Sequence, residues 1–114
     1  MTTAPLDHVL TVDLHVHDGV CALRLCGELD GLSCPQLVPL LDRALATAAA
    51  TTVVTVVVDL RHVTFCDLDG LRALGAAHRR ALARGVDLRC EGASSLLHRV
   101  APVAGFAELF AEPG

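Results

Sequence analysis

The chain contains no Lys, Ile, Asn, Tyr or Trp, and all nine of its basic residues are Arg. This skew toward Leu, Val, Ala and Arg is that of a GC-rich genome, a bias of mutation and not of chemistry. The absences still narrow function. With aromatic residues at only 3%, there is little on which to stack bases. With a formal charge of −4 and an isoelectric point of about 5.8, there is no basic footprint for phosphates, so nucleic acid is not expected as a partner. A C-x-x-C pair is also missing. The five cysteines (Cys21, Cys26, Cys34, Cys66, Cys90) are odd in number and sit mostly within apolar runs, which fits buried thiols of a reduced compartment better than a disulfide framework. Residues 1–8 lack a basic stretch followed by an apolar one, and no apolar run approaches the roughly 18 residues of a membrane span. The expectation is a cytoplasmic protein without a membrane partner.

What is present is enough to build one core. At 114 residues, 53% hydrophobic and 19% charged, the chain reads as one domain over residues 1–114, with its core at about residues 9–110. Leu10, Val12, Leu14 and Val16 alternate with Thr11, Asp13, His15 and His17, the period of a strand with one wet face. Asp18-Gly19 then predicts a tight hairpin into a second strand, Val20 to about Leu29. Ser33-x-x-Gln36 reads as a capping pair, and Leu37, Leu40, Leu41, Ala44, Leu45 and Ala48 form one helical stripe behind it. The β-branched run Val53–Val58 is expected as a central strand covered on both faces.

Helical spacing returns after Phe65, with Leu71, Leu74, His78, Ala81 and Leu82 on one face and Gly85 placed to end the helix. A short strand, Val86–Cys90, follows. Ser94 or Ser95 is placed to cap a third helix through about Val100, which Pro102 disturbs, and Phe106, Leu109 and Phe110 form a docked turn. The order is β-β-α-β-α-β-α: an α/β fold, an N-terminal β-hairpin followed by βαβαβα, with a mixed sheet and helices packed on it.

Chemistry concentrates between Val57 and Leu74. A strand runs into a loop, Asp67 falls where a helix N-cap is wanted, and Asp69 follows in the first turn, where carboxylates satisfy orphan N–H groups and complement the helix dipole. The plain reading is a well-capped helix. Gly27-Glu28-Leu29-Asp30 after a strand, Val57-Val58-Asp59-Leu60, Val63-Thr64-Phe65 and Asp67-x-x-Gly70-Leu71 together resemble the STAS domain of bacterial anti-sigma factor antagonists, over roughly Val9 to Phe110. The resemblance implies a partner switch. The antagonist binds a kinase-type anti-sigma factor of the histidine-kinase-like ATPase fold and frees the sigma factor, and the kinase reverses this by phosphorylating a serine at the start of the second helix, which adds about −1.5 to −2 charges.

The sequence departs from the family at that point. The two hydroxyl residues that follow the Asp in the family are here Leu68 and Asp69, and no hydroxyl lies between Thr64 and Ser94. Leu68 therefore stands at the phosphoacceptor-equivalent position and cannot take phosphate. Either the protein binds constitutively, with Leu68 as an apolar knob, or Asp69 partly imitates the modified state. The first is favoured, because Asp69 matches one position beyond the acceptor and a carboxylate carries less charge and fewer oxygens than a phosphate. The expected partner-binding residues are Asp30, Ser33, Asp67, Leu68, Asp69, Gly70 and Arg72, with Gly70 permitting close approach.

Other constellations are weaker. Asp13, His15 and His17 share a strand face at a spacing metals use, but read as solvated polar positions. Asp59, Asp67 and Asp69 resemble the acidic pocket of a receiver domain only in part, since no Lys is present. Cys66 reads as a small buried hydrophobe, not a helix-stabilised thiolate. His78 reads as an edge-of-core residue, and Arg72, Arg79, Arg80 and Arg84 as a solvated helix face. With Ser33, Ser94 and Ser95 assigned to caps, no nucleophilic triad remains, and the expectation is a binding protein with no catalytic residue, cofactor or metal. Three rival readings are kept: a STAS subunit holding the ATPase of an ABC-type lipid transport complex, a nucleotide-binding module using the helix N-terminus, and a receiver-like phosphoacceptor.

Overall fold

In the computed structural model, which describes residues 10–50 and 55–110, Asp18 and Gly19 both adopt positive φ (51° and 77°) and close β1 (Leu10–His17) onto β2 (Val20–Leu29). Gly has no Cβ to clash and Asp is among the few residues that tolerate this region. The two-residue turn therefore forms locally and sets the antiparallel register, from His17 opposite Val20 to Leu10 opposite Gly27. Then come α1 (Cys34–Ala50), β3 (Thr55–Cys66), α2 (Leu68–Ala83), β4 (Asp87–Glu91), α3 (Ser95–Val103) and a 3-10 turn, Ala107–Phe110. The sheet order is β1-β2-β3-β4, with β3 parallel to both β2 and β4, as the crossover reading requires.

Several elements differ from the sequence expectation. Val53 lies outside the described residues, and β3 continues well past Val58 to Cys66. Arg61-His62 breaks the apolar pattern, but the ladder to β2 carries the strand on, through irregularities near Leu25 and Gly27 to Leu29 opposite Cys66. Nor is the strand covered on both faces. Cys21, Leu23 and Leu25 of β2, Val56 and Val58 of β3, and Leu88 and Cys90 of β4 are buried with Leu37, Leu41 and Leu45 of α1 and Leu71, Leu74 and Ala81 of α2. The alternate positions Arg24, Asp59, Arg89 and Glu91 make the opposite face polar.

On β1 the alternation is present but its inward side is only half used. Leu14 and Val16 lie opposite Leu23 and Cys21, yet are 47% and 53% exposed. α1 meets β1 at Leu10, whose carbonyl accepts from Gln36 Nε2. That bond also overturns the expected capping pair. Ser33 Oγ instead accepts from Asp30 N (3.0 Å) and donates to Glu28 O (2.8 Å), so both side chains serve the strands and not the N–H groups of α1.

α2 ends with Gly85 at φ +72°, Gly85 N donating to Leu82 O and Val86 N to Ala81 O. Val86 thus belongs to the helix end, which is why β4 begins one residue later than expected. The buried face of α2 centres on Gly70, Leu74, Ala77 and Ala81, leaving Leu82 on its margin and exposed, against expectation. α3 is capped by Ser94 Oγ, which accepts from Leu97 N (3.2 Å), and it runs through Pro102 to Val103. The proline falls in the last turn, where little helix remains to disturb.

The start of α2 is pinned to the end of β2. Asp67 N donates to Leu29 O (3.1 Å), and a Cβ built on Gly70 would lie 2.6 Å from that same carbonyl oxygen and 2.9 Å from Cys66 Sγ. On the polar face, Asp59 Oδ1 accepts from Arg61 N (3.0 Å) and Arg61 Nε (3.2 Å), with Arg24 Nε 3.8 Å from Oδ2. Burial pushes this carboxyl up, but the Arg61 hydrogen bonds and the charges of Arg61 and Arg24 outweigh it and hold its pKa below the usual value.

Two outcomes follow for stability. Gly70→Ala is expected to lower unfolding free energy by about 2 kcal/mol in a urea titration, because the Leu29 backbone and the half-buried Cys66 sulfur must move to admit the methyl. A carboxyl with a depressed native pKa contributes stability above its unfolded pKa and loses it as pH falls through the native value. The stability gap between wild type and Asp59→Asn should therefore be full at neutral pH and close below about pH 4.

Candidate functional site

The tip formed by the β3–α2 junction is ordered from the backbone outward. Asp67 adopts an extended conformation, and its Oδ1 accepts from Gly70 N at 2.9 Å, so the predicted N-cap is present. With Asp67 and Gly70 both engaged against the end of β2, the next side chains are turned out. Leu68 is 45% exposed, and Asp69 and Arg72 are exposed, with Asp69 Oδ1 3.8 Å from Arg72 Nη1. A pair this open is worth little energetically, but it partly offsets the charge that Asp69 displays.

Gly70 is buried, contrary to its expected role. The close approach it permits is that of Leu29 within the same chain, not that of a partner. Asp30 and Ser33, expected on the neighbouring surface, lie beneath it. Asp30 Oδ1 accepts from Leu32 N and Ser33 N (both 3.0 Å), an Asx-type turn that pins the β2–α1 loop while Leu32 points outward. The loop abuts the tip directly: a Cβ on Gly31 would lie 3.0 Å from Asp69 Oδ2, and Cys34 Sγ lies 3.6 Å from Asp69 O.

Cys66, expected as a buried small hydrophobe, is only half-buried and packs against the edge of the core. Burial, then the charge of Asp67, pushes its thiol up to about 12, so the helix N-terminus does not generate a thiolate there. Cys34 is pushed up in the same way, by burial and then by Asp67, Asp69 and Asp30. The carboxylates thus add to burial in keeping both thiols protonated.

Beside the tip lies a feature that spacing along the chain did not reveal. A groove of about 230 Å³ opens between the end of β3, the first turn of α2 and α3, walled by Leu60, Val63, Phe65, Leu68, Leu96 and Val100 among others. Phe65 is 52% exposed, and Leu96 and Val100 are exposed too. Leu96 and Val100 stand at i and i+4 on α3, away from the buried Leu97 and Ala101. That second apolar stripe is the signal that marks them.

Among the described residues, no three His, Cys, Asp or Glu side chains gather where they could hold a metal ion, so neither Asp13, His15 and His17 nor Asp59, Asp67 and Asp69 form such a set. Asp59 faces Arg61 and Arg24 on the polar face of the sheet instead. No helix among the described residues is long and apolar enough to cross a membrane.

A comparison of the sequence with curated proteins returns no match. Among solved structures, the chain is similar to an anti-sigma factor antagonist from Mycobacterium paratuberculosis (23% identity, 94% of this chain and 87% of that one, TM-score 0.72). It is also similar to the anti-sigma factor antagonist SpoIIAA in its unphosphorylated form (18%, 91% and 89%, TM-score 0.72). The murine anion transporter Slc26a9 matches at 21% identity, over 79% of this chain but only 14% of the transporter, with a TM-score of 0.64. These likenesses establish the fold. A family model described as "Mlab, STAS domain" matches residues 12–111, and the chain belongs to that STAS-domain family.

Proposed function

We propose that this chain, a single STAS unit over residues 1–114, is a non-enzymatic, cytoplasmic protein of the anti-sigma factor antagonist kind, and that it regulates sigma-factor-dependent transcription by partner switching. It binds a kinase-type anti-sigma factor of the histidine-kinase-like ATPase fold through the start of α2 and the groove beside it. The observation that carries the reading is an outward-facing tip, Leu68-Asp69 with Arg72, held rigidly by Asp67 and Gly70 and continuous with the apolar wall of Phe65, Leu96 and Val100. Exposed apolar side chains in a preformed surface, rimmed by charge, are what a protein interface uses. Asp30 and Ser33 contribute by holding the neighbouring loop rather than by contact.

With Leu68 at the acceptor position, the start of α2 has no hydroxyl to modify, and its affinity is set by the sequence alone. A nucleotide at this helix start is disfavoured, because Asp67 already occupies Gly70 N and Asp69 would repel phosphate. A second reading, the STAS subunit that holds the ATPase of an ABC-type lipid transport complex, is favoured by the same missing hydroxyl, since a permanent subunit needs no acceptor.

Leu68→Arg and Asp69→Arg should each weaken capture of the cognate anti-sigma kinase by more than about 1 kcal/mol in titration calorimetry. Unchanged affinity in both variants would move the docking surface elsewhere, and stoichiometric binding to an ABC ATPase in place of the kinase would establish the second reading. Incubation with kinase and ATP should leave the intact mass unaltered; a gain of one phosphate would overturn the constitutive dock.

A further inference from the structure

Among the described residues, the sheet leaves one edge strand unguarded. β1 is an edge over its full length, Leu10–His17, and its pairing with β2 shows no register break. Edges are usually blunted by Lys, Pro or a bulge; residues 11–17 hold none of these. In an antiparallel ladder closed by a two-residue turn, opposed residues alternate between exchanging both backbone bonds and exchanging none. Counting from His17 opposite Val20, residues Thr11, Asp13, His15 and His17 turn their backbone groups to β2. Val12, Leu14 and Val16 therefore turn theirs outward.

We infer that a second copy of this chain pairs with β1, antiparallel and two-fold about Leu14, joining two sheets edge to edge. The register is chosen by the sequence itself. Centred on Leu14, it sets Leu14 against Leu14 and Val12 against Val16, all residues whose backbone groups point outward. It sets Asp13 against His15, twice, as a non-hydrogen-bonded pair whose side chains approach closely. The same register keeps faces matched. Val12, Leu14 and Val16 lie on the core side of the sheet, where Leu14 and Val16 are the exposed apolar residues left uncovered by α1, while Asp13 and His15 lie on the polar side with Arg24 and Ala22. A two-residue slip of the pairing moves the centre by one residue: centred on Asp13 it sets carboxylate against carboxylate, and centred on His15 it pairs Asp13 with His17 but sets His15 against itself and Val12 against Asp18, which lies in the turn at φ 51°.

The surface lies toward the Asp18-Gly19 turn, away from Leu29 where α2 begins. Its occupation is therefore independent of docking at α2.

Sedimentation equilibrium of the full chain over a dilution series at neutral pH should show a monomer–dimer equilibrium. His15→Asp, which sets carboxylate against carboxylate across the two-fold and has Ala22 directly opposite within the chain, should raise the dimer Kd about tenfold. His15→Arg should lower it. An intact thermal melt for each variant separates these outcomes from misfolding. A chain that stays monomeric throughout, a dimer insensitive to both substitutions, or a dimer shifted the same way by both would overturn the inference, the last two placing the contact on another face. Binding of a foreign extended segment at β1 in place of a second copy would appear as a monomer that shifts only on addition of that partner, and would equally overturn it.

Discussion

The Leu29 carbonyl is the point on which the display of the tip depends. It accepts the Asp67 N–H and leaves no space for a side chain at position 70. One strand-end oxygen thus fixes both the last residue before α2 and the first turn of the helix itself. Because the Asp67 carboxylate closes on Gly70 N from the other side, the turn from 67 to 70 has no freedom to rotate, and Leu68 and Asp69 are held outward by exclusion. A side chain displayed in this way has already lost much of the entropy that binding would otherwise remove, which is how a small exposed patch supports specific recognition.

The same geometry shapes the charge a partner meets. Of the three carboxylates near the tip, Asp30 and Asp67 spend hydrogen-bonding capacity on backbone N–H groups, while Asp69 stands exposed beside Arg72. The surface therefore presents one partly offset negative charge beside an apolar wall. Half-buried Cys34 and Cys66 have their thiols pushed up, by burial first and by the nearby carboxylates second, so they stay protonated and act as small apolar spacers between strand end and helix.

How much of this was legible in the sequence depended on the range of the interaction. The hairpin, the Asp67 cap and the Gly85 helix end were readable because each is decided within a few residues by φ preference or by one side chain reaching its own backbone. Ser33-x-x-Gln36 had the same appearance and failed, because Glu28, Asp30 and Leu10 offered better partners from the strands. The extension of β3 through Arg61-His62 was hidden since ladder pairing, not periodicity, sustains it. Leu14 and Val16 read as inward residues and do face the core side; what their alternation does not encode is whether a helix reaches far enough to cover them. The groove escaped notice because Phe65, Leu68 and Val100 come from three elements, and its one local trace is the second apolar stripe of α3.

The absent hydroxyl gains its meaning from this rigidity. A phosphate on the first residue of α2 would act by placing close to two charges against the desolvated partner surface. On the proposed reading Asp69 does not stand in for it. It sits one residue along the helix, roughly 100° around the axis, carries a single charge, and has Arg72 at 3.8 Å to offset it. On that reading Leu68 occupies the acceptor position itself and adds apolar area where charge would be introduced. On the proposed reading, occupancy of the dock then varies only with the concentrations of the chain and its competitors, by mass action. Control passes from a covalent mark on this protein to whatever sets its abundance or occludes the wall of Phe65, Leu96 and Val100.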